Sequence, residues 1–260
     1  MPWQYTDDSQ LMLATIRSMT SYPTLDINNF VKELLAERDS IRGAGRSTWT
    51  ALNRLKEVGP GESGIEDAAG CGAMTRTAPA AILAHNISDI AYEMLAEDVA
   101  AITHKGRLAK TSVFLYGGIL ANLLDGVDLS SYQNVEKFVE RCASLKSSDE
   151  GRVIKLKEKI GRIPQIISSG EDYADGLSGA IWDVLPAALY CFLKSPDNFE
   201  ASVFEAVNLG GDTDSIGFAT GQLSGAYNGI GKIPDYLING LEKNDEIRRL
   251  ATKLFNRIYP

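Results

Sequence analysis

Apolar residues recur at helical spacing through almost the whole chain, and this periodicity limits the possible folds more than any other feature. One apolar face runs between residues 11 and 19, and the next runs between residues 27 and 35. Convincing strand alternation is found nowhere. The sequence therefore predicts an all-α fold in which amphipathic helices pack as a bundle.

Two later segments refine this prediction. Residues 180–193 are apolar almost all round, which indicates a helix at the centre of the bundle, with a kink expected at Pro186. The following segment carries a glycine at every fourth position, namely Gly217, Gly221, Gly225 and Gly229. Each interior glycine costs a helix about 1 kcal/mol relative to alanine, so such a stripe predicts close helix packing, with very close approach by another backbone. A partly irregular segment is the alternative.

Composition narrows the class of protein. A chain of 260 residues with 44% hydrophobic residues can bury a large core, and we expect a single domain over residues 1–260. The net charge of -8 and the lack of a basic stripe argue against a nucleic-acid partner. No segment has the apolar length of a membrane span or the pattern of a signal peptide. Three scattered cysteines argue against disulfides and zinc, and favour a cytoplasmic location.

An acidic cluster, Thr6-Asp7-Asp8, stands directly before the first amphipathic helix. Capping and first-turn acidic residues are favoured there for structural reasons alone. Two adjacent carboxylates and a hydroxyl are also hard oxygen ligands of the kind that magnesium, manganese or calcium prefers. Both interpretations stay open for this cluster alone.

A second acidic cluster, Gly210-Gly211-Asp212-Thr213-Asp214-Ser215, follows a helix that we expect to end near Asn208. The glycine pair is typical of a helix stop, and either aspartate is a possible cap for the next helix. Carboxylates at positions i and i+2 beside a hydroxyl are equally typical of an ion-binding turn. Together, the two clusters offer four carboxylates that would repel one another unless cations neutralised them. Two metal ions bound there would activate water and orient a substrate.

Four motifs resemble, in order, those of the ADP-ribosylglycohydrolase family. They are residues 6–10 (Thr-Asp-Asp-Ser-Gln), 70–79 (Gly-Cys-Gly-Ala-Met-Thr-Arg-Thr-Ala-Pro), 102–104 (Ile-Thr-His) and 210–215 (Gly-Gly-Asp-Thr-Asp-Ser). Residues 178–189 and 221–234 also resemble that family. The resemblance spans essentially the whole chain and implies an all-α orthogonal helical bundle.

The resemblance further implies a hydrolase that cleaves the bond between ADP-ribose and an acceptor, usually a protein side chain. Two Mg²⁺ ions, with Mn²⁺ as the other choice, would be held by Thr6, Asp7, Asp8, Asp212, Asp214 and Ser215. Asp7, Asp8 and Asp212 are the expected catalytic residues. Gly70, Cys71, Gly72 and His104 are expected to contact the ADP-ribose. The expected partner is an ADP-ribosylated protein or small conjugate, with neither membrane nor nucleic acid, and the expected state is a monomer.

Three departures from the family's pattern and two alternative functions accompany this assignment. Family members usually carry a further N-terminal helix before the Thr-Asp-Asp motif, and here only five residues precede Thr6. Cys71 stands where the family commonly has Asn, and Ser215 stands where Thr is more usual. A non-catalytic relative that binds ADP-ribose is the main alternative to an enzyme. A dinuclear metal hydrolase for another nucleoside or glycoside is a further one.

Two other residues could take part in binding or structure. Arg76 is expected either to pair with phosphate or to form a salt bridge inside the protein. His85 is expected to be a surface or capping residue.

Overall fold

A computed structural model describes residues 3–21, 25–85, 89–145 and 150–258. Within these ranges the chain forms helices, with two isolated β-bridges and no sheet. The helices are α1 (Asp7–Ser21), α2 (Ile27–Arg38), α3 (Arg46–Val58), α4 (Pro60–Ser63), α5 (Gly72–Arg76), α6 (Ala78–Ala84), α7 (Asp89–Ala101), α8 (Arg107–Leu124), α9 (Tyr132–Ser144), α10 (Gly151–Ser169), α11 (Ile181–Lys194), α12 (Phe199–Asn208), α13 (Thr213–Asn228), α14 (Asp235–Gly240) and α15 (Asn244–Ile258). The all-α prediction is confirmed.

The chain divides into two compact units. The first comprises Met1–Val113 and Asp235–Pro260, and the second comprises Phe114–Pro234. Helix α8 therefore contributes residues to both. A single domain over residues 1–260 stays a prediction.

In the first unit, α1 packs against α2, α5 and α15. Its predicted apolar face is buried except for Met12, which is partly buried, and Leu13 and Ile16 share a hydrophobic cluster with Leu250 and Leu254 of α15. Arg17 lies on the same helix and forms ion pairs with Glu33, Glu37 and Glu246. The N-terminal helix is thus fixed by a buried apolar face and by charge pairs to α2 and α15. This fixes the position of the acidic cluster at its first turn.

In the second unit, α11 packs against α10, α12 and α13. Every one of its residues except Trp182 and Lys194 is buried, as the apolar sequence predicted. Asp183 is the one carboxylate in this buried set. Its charge must be compensated, because an unpaired buried carboxylate is strongly unfavourable.

The glycine stripe of α13 faces α12. A methyl group added at Gly217 would lie 3.0 Å from Val207 Cγ1, while one at Gly221 or Gly225 would lie 3.9 or 4.0 Å from the Phe199 ring. The prediction that this glycine stripe packs against another helix is therefore confirmed for these three glycines, but the atoms that they approach among the described residues belong to side chains and not to the backbone of that helix. It is wrong for the fourth, because α13 ends at Asn228 and Gly229, with φ +71°, terminates the helix.

Helix boundaries follow local chemistry. Asp26 caps α2 by accepting hydrogen bonds from two backbone N–H groups, at 2.8 and 3.1 Å, and Asn198 caps α12 by accepting one from Ala201 N–H at 3.0 Å. Gly170, in the left-handed region, ends α10. The segment 39–50, whose sequence is typical of turns, is irregular only to Gly45, because α3 begins at Arg46.

Two further observations concern the chain as a whole. Among the described helices, none combines the length and the apolar character that crossing a membrane requires. Cys71, Cys142 and Cys191 are all buried thiols, and none of them forms a disulfide.

Candidate functional site

The N-terminal acidic cluster forms the start of α1. Asp7 and Asp8 occupy the first turn, where the helix dipole favours negative charge, and only 7% and 2% of their surfaces are exposed. The backbone N–H of Asp7 donates to the Arg42 carbonyl at 2.7 Å, and the Thr6 carbonyl accepts the first intrahelical bond from Gln10. Two adjacent carboxylates are thus held below the surface in one fixed position. Buried carboxylates of this kind are normally hydrogen-bonded, paired with cations or bound to metal.

Helix α5 supplies a hydrogen-bond donor and a positive charge to this pair. The Thr75 hydroxyl donates to Asp8 Oδ1 at 2.7 Å. The next residue, Arg76, is completely buried. Burial lowers the pKa of Arg76 to about 10, although the negative charges of Asp8 and Asp7 act in the opposite direction. A buried cation therefore partly balances the two carboxylates from within the protein.

Arg76 does not face solvent, where it could meet a phosphate. Its guanidinium donates to three backbone carbonyls and one hydroxyl: Gly72 O at 2.7 Å, Val99 O at 3.0 Å, Ala100 O at 3.3 Å and Thr103 Oγ1 at 2.5 Å. The geometry thus favours the internal role for Arg76. It ties the glycine-rich segment, Gly70-Cys71-Gly72, to the end of α7.

The glycine-rich segment lies against His104. A methyl group added at Gly70 would lie 3.4 Å from His104 Nε2, and one added at Gly72 would lie 4.0 Å from His104 Cε1 and 3.0 Å from Thr48 Oγ1. Cys71, between the two glycines, is buried. The first unit therefore brings together the residues that the resemblance assigns to the ADP-ribose site.

Backbone hydrogen bonds on both sides of His104 fix its position. Ile65 N–H donates to Thr103 O at 3.0 Å and Lys105 N–H donates to Ile65 O at 3.1 Å, so the segment before the glycines runs beside the histidine. Gly106 permits this approach, because a methyl group there would lie 1.9 Å from Glu66 O. Burial, together with the positive charge of Arg76, lowers the pKa of His104 to about 3. The imidazole is therefore neutral at pH 7.

The C-terminal acidic cluster belongs to the second unit and lies between α12 and α13. Gly210 and Gly211 have φ values of +96° and +69°, a region that favours glycine, and they turn the chain after α12. Asp212 N–H then donates to Leu177 O at 2.8 Å. Asp212 occupies the N-cap position of α13, but its side chain makes no capping hydrogen bond. The structure thus does not support the interpretation of Asp212 as a side-chain cap.

The remaining members of this cluster lie in the first turn of α13. Asp214 is exposed and Ser215 is buried. Gly179 approaches the cluster, since a methyl group there would lie 2.5 Å from Asp212 Oδ2. The turn therefore has a fixed backbone, a carboxylate open to solvent and little space beside Asp212.

A buried ion pair supports the segment that contacts Asp212. Lys159 Nζ lies 2.5 Å from Asp183 Oδ1 and also donates to the Asp175 carbonyl. The Ser178 hydroxyl donates to Asp183 Oδ2 at 2.5 Å, next to Leu177. Burial would raise the pKa of Asp183, but the hydrogen bonds from Lys159 and Ser178 outweigh it and lower the pKa. Sequence reasoning missed this pair, although a lone carboxylate within the apolar segment 180–193 was a visible signal.

The comparisons with known proteins agree with this description. The family model for ADP-ribosylglycohydrolase matches residues 1–260. An uncharacterized protein of Archaeoglobus fulgidus is 32% identical, over 97% of this chain and 80% of that protein. The ADP-ribosylarginine hydrolase Tri1 of Pseudomonas putida is 27% identical, over 98% of this chain and 67% of its own length.

A solved structure supports the same assignment. A chain of an ADP-ribosylglycohydrolase-related protein complex superimposes with a TM-score of 0.78 at 27% identity, covering 97% of this chain and 81% of that one. The family model, the sequence relatives and the fold thus agree over essentially the full length. This chain belongs to the ADP-ribosylglycohydrolase family.

Proposed function

We propose that this chain is a metal-dependent hydrolase that cleaves the glycosidic bond between ADP-ribose and an acceptor. The substrate is an ADP-ribosylated protein side chain or a related ADP-ribose conjugate. The observation that carries the proposal is the buried pair Asp7 and Asp8, fixed in the first turn of α1. The same unit also contains Gly70 beside His104, two of the residues that the resemblance assigns to the ADP-ribose site.

The donor atoms fit Mg²⁺ or Mn²⁺. Thr6, Asp7 and Asp8 from the first unit, and Asp212, Asp214 and Ser215 from the second, offer only carboxylate and hydroxyl or carbonyl oxygens. A bound divalent cation would supply charge stabilisation and a more acidic water. We propose two such ions held by these six residues.

The reaction that we propose is a hydrolysis at the distal ribose. Water adds to the anomeric carbon, the bond from that carbon to the acceptor breaks, and the acceptor departs with a proton. A carboxylate among Asp7, Asp8 and Asp212 accepts the proton that the water loses and passes it to the departing acceptor. Gly70 and Gly72 lack side chains, which would let the backbone of this segment approach the ADP-ribose closely, and Gly70 is the partly exposed one of the two.

The test is release of ADP-ribose from defined peptides. Purified protein would be incubated with ADP-ribosyl-arginine and ADP-ribosyl-serine peptides in Mg²⁺, in Mn²⁺ or in EDTA, and free ADP-ribose followed by mass spectrometry. Arginine is the first acceptor to test, because the Pseudomonas putida relative is named an ADP-ribosylarginine hydrolase. Release that EDTA abolishes is the expected result.

Matched variants locate the activity. Asp7→Asn and Asp212→Asn should each reduce turnover by at least about 100-fold, in the range of an essential acid–base group, with helicity by circular dichroism unchanged. Asp172→Asn, an exposed aspartate outside both clusters, should behave as the wild type. Full activity in the first two variants would refute the assignment of the acidic clusters. Binding of ADP-ribose without release from any peptide would instead identify a non-catalytic relative.

A further inference from the structure

The two nitrogens of His104 have different surroundings. The side chain is 1% exposed, and Nδ1 lies 2.7 Å from Thr103 Oγ1. Nε2 is also buried, has no hydrogen-bond partner in the described part of the chain, and lies on the side of Gly70. A buried nitrogen without a partner costs free energy, so this atom is expected to be satisfied by something that binds there.

Arg76 determines the direction of the hydrogen bond at Nδ1. Its guanidinium has only donors, and one N–H group donates to Thr103 Oγ1 at 2.5 Å. The Thr103 oxygen therefore acts as an acceptor toward Arg76 and keeps one hydroxyl proton to donate. Among the described residues, His104 Nδ1 is the one acceptor within hydrogen-bond distance of that hydroxyl. Nδ1 thus accepts, which leaves the ring proton of the neutral imidazole on Nε2.

We propose that Arg76 and Thr103 are positioning residues that hold His104 as its Nε2–H tautomer, so that His104 donates a hydrogen bond to an oxygen of the bound ligand beside Gly70. The proposal deepens the proposed function, on which its ligand, ADP-ribose, depends. A phosphate or ribose oxygen accepts from Nε2–H, whereas a group that can only donate is rejected. Arg76 thereby acts on ligand recognition without contact with the ligand.

The arrangement also explains why this arginine is buried. The same guanidinium that orients Thr103 binds the carbonyls of Gly72, Val99 and Ala100. One side chain therefore fixes the glycine-rich segment, the end of α7 and the tautomer of His104 together. A lysine could not do this, because its ammonium lacks the planar set of five donors.

The tautomer can be measured directly, because the chain contains only two histidines. Protein labelled with ¹⁵N-histidine would be studied by long-range ¹H–¹⁵N correlation, which distinguishes a protonated ring nitrogen from an unprotonated one. His85→Gln removes the other histidine and assigns the signals. We expect Nε2 of His104 to carry the proton and Nδ1 to be unprotonated from pH 6 to 8. A proton on Nδ1 in the wild-type protein would overturn the proposal.

Two variants test the role of the hydroxyl. Thr103→Ser keeps the hydroxyl and should give the wild-type spectrum. Thr103→Val removes the hydroxyl with little change of shape and should increase the population of the tautomer that carries the proton on Nδ1. An unchanged tautomer in a folded Thr103→Val protein would show that Thr103 does not set it. If that variant fails to fold, the position of the ring proton in the wild-type spectrum alone decides whether the proposal holds.

Ligand titration completes the test. Adding ADP-ribose should shift the Nε2 signal of His104, and Thr103→Val should weaken ADP-ribose binding by about tenfold, the equivalent of one net hydrogen bond. Bound ADP-ribose that leaves Nε2 unaffected would refute the ligand contact. These readouts need no turnover. An inactive protein with the expected spectrum would therefore count against the proposed function and not against the tautomer.

Discussion

Replacing Gly211 by alanine should destabilise the C-terminal acidic turn far more than the same change at Gly210. Both glycines have positive φ, and alanine in the left-handed region costs about 1–2 kcal/mol at either position. The two positions differ in available space. A methyl group at Gly210 would meet only Leu177 Cδ1 at 3.9 Å, whereas one at Gly211 would lie 2.0 Å from the Leu177 carbonyl oxygen.

The contact at Gly211 cannot be relieved by rotating a side chain, because its partner is backbone. Either chain segment must move, at the overpacking cost of about 1–3 kcal/mol. Such a movement also breaks the hydrogen bond from Asp212 N–H to Leu177 O, which is worth about 1 kcal/mol net. We therefore expect Gly211→Ala to lower the free energy of unfolding by about 3–6 kcal/mol, and Gly210→Ala by about 1–2 kcal/mol.

Urea unfolding followed by circular dichroism at 222 nm measures both values on otherwise identical proteins. The difference between the two free energies of unfolding is the informative quantity, since the cost of placing alanine in the left-handed region is common to both variants. If Gly211→Ala and Gly210→Ala differed by less than about 0.5 kcal/mol, within the usual range of harmless substitutions, the close approach of Leu177 to this turn would be wrong.

Three further predictions concern single contacts. Lys159→Met should cost about 3–5 kcal/mol in urea unfolding because it leaves a buried carboxylate uncompensated, and adding Asp183→Leu should recover most of the loss. The pKa of His104 is 6.5 in the unfolded chain and about 3 in the folded protein, so between these pH values only the unfolded chain carries a proton on this side chain. Stability should therefore fall as the pH falls, by about 1.4 kcal/mol per pH unit, and His104→Gln should remove that part of the slope. Gly221→Ala should stabilise α13 by about 0.5–1 kcal/mol, whereas Gly217→Ala, with only 3.0 Å to Val207, should give no gain.

The fold was largely predictable because its main signals are local. Helical periodicity needs only a window of neighbouring residues, so the all-α class and the buried segment 180–193 could be inferred from the sequence. The glycine stripe likewise predicted a close neighbour, although not that the neighbour is α12. Its fourth member was misassigned because a glycine that ends a helix has the same spacing as one that packs inside it.

The candidate site was predictable as a list of residues but not as a network. Asp7, Asp8 and Asp212 stand in recognisable motifs, and their proposed role as ligands stays a prediction. By contrast, the Thr75 bond to Asp8 joins residues 67 positions apart, and Lys159 meets Asp183 from a neighbouring helix. Such pairs depend on how the helices pack, which single-sequence patterns do not encode.

The three buried thiols give this protein internal reporters of local opening. Burial raises the pKa of Cys142 and of Cys191 to about 12, so these two remain unreactive thiols near neutral pH while the structure around them is closed. Cys71 belongs to the first unit and the other two belong to the second. The rates at which an alkylating reagent modifies each cysteine would therefore show which unit opens first under mild denaturant, without any engineered label.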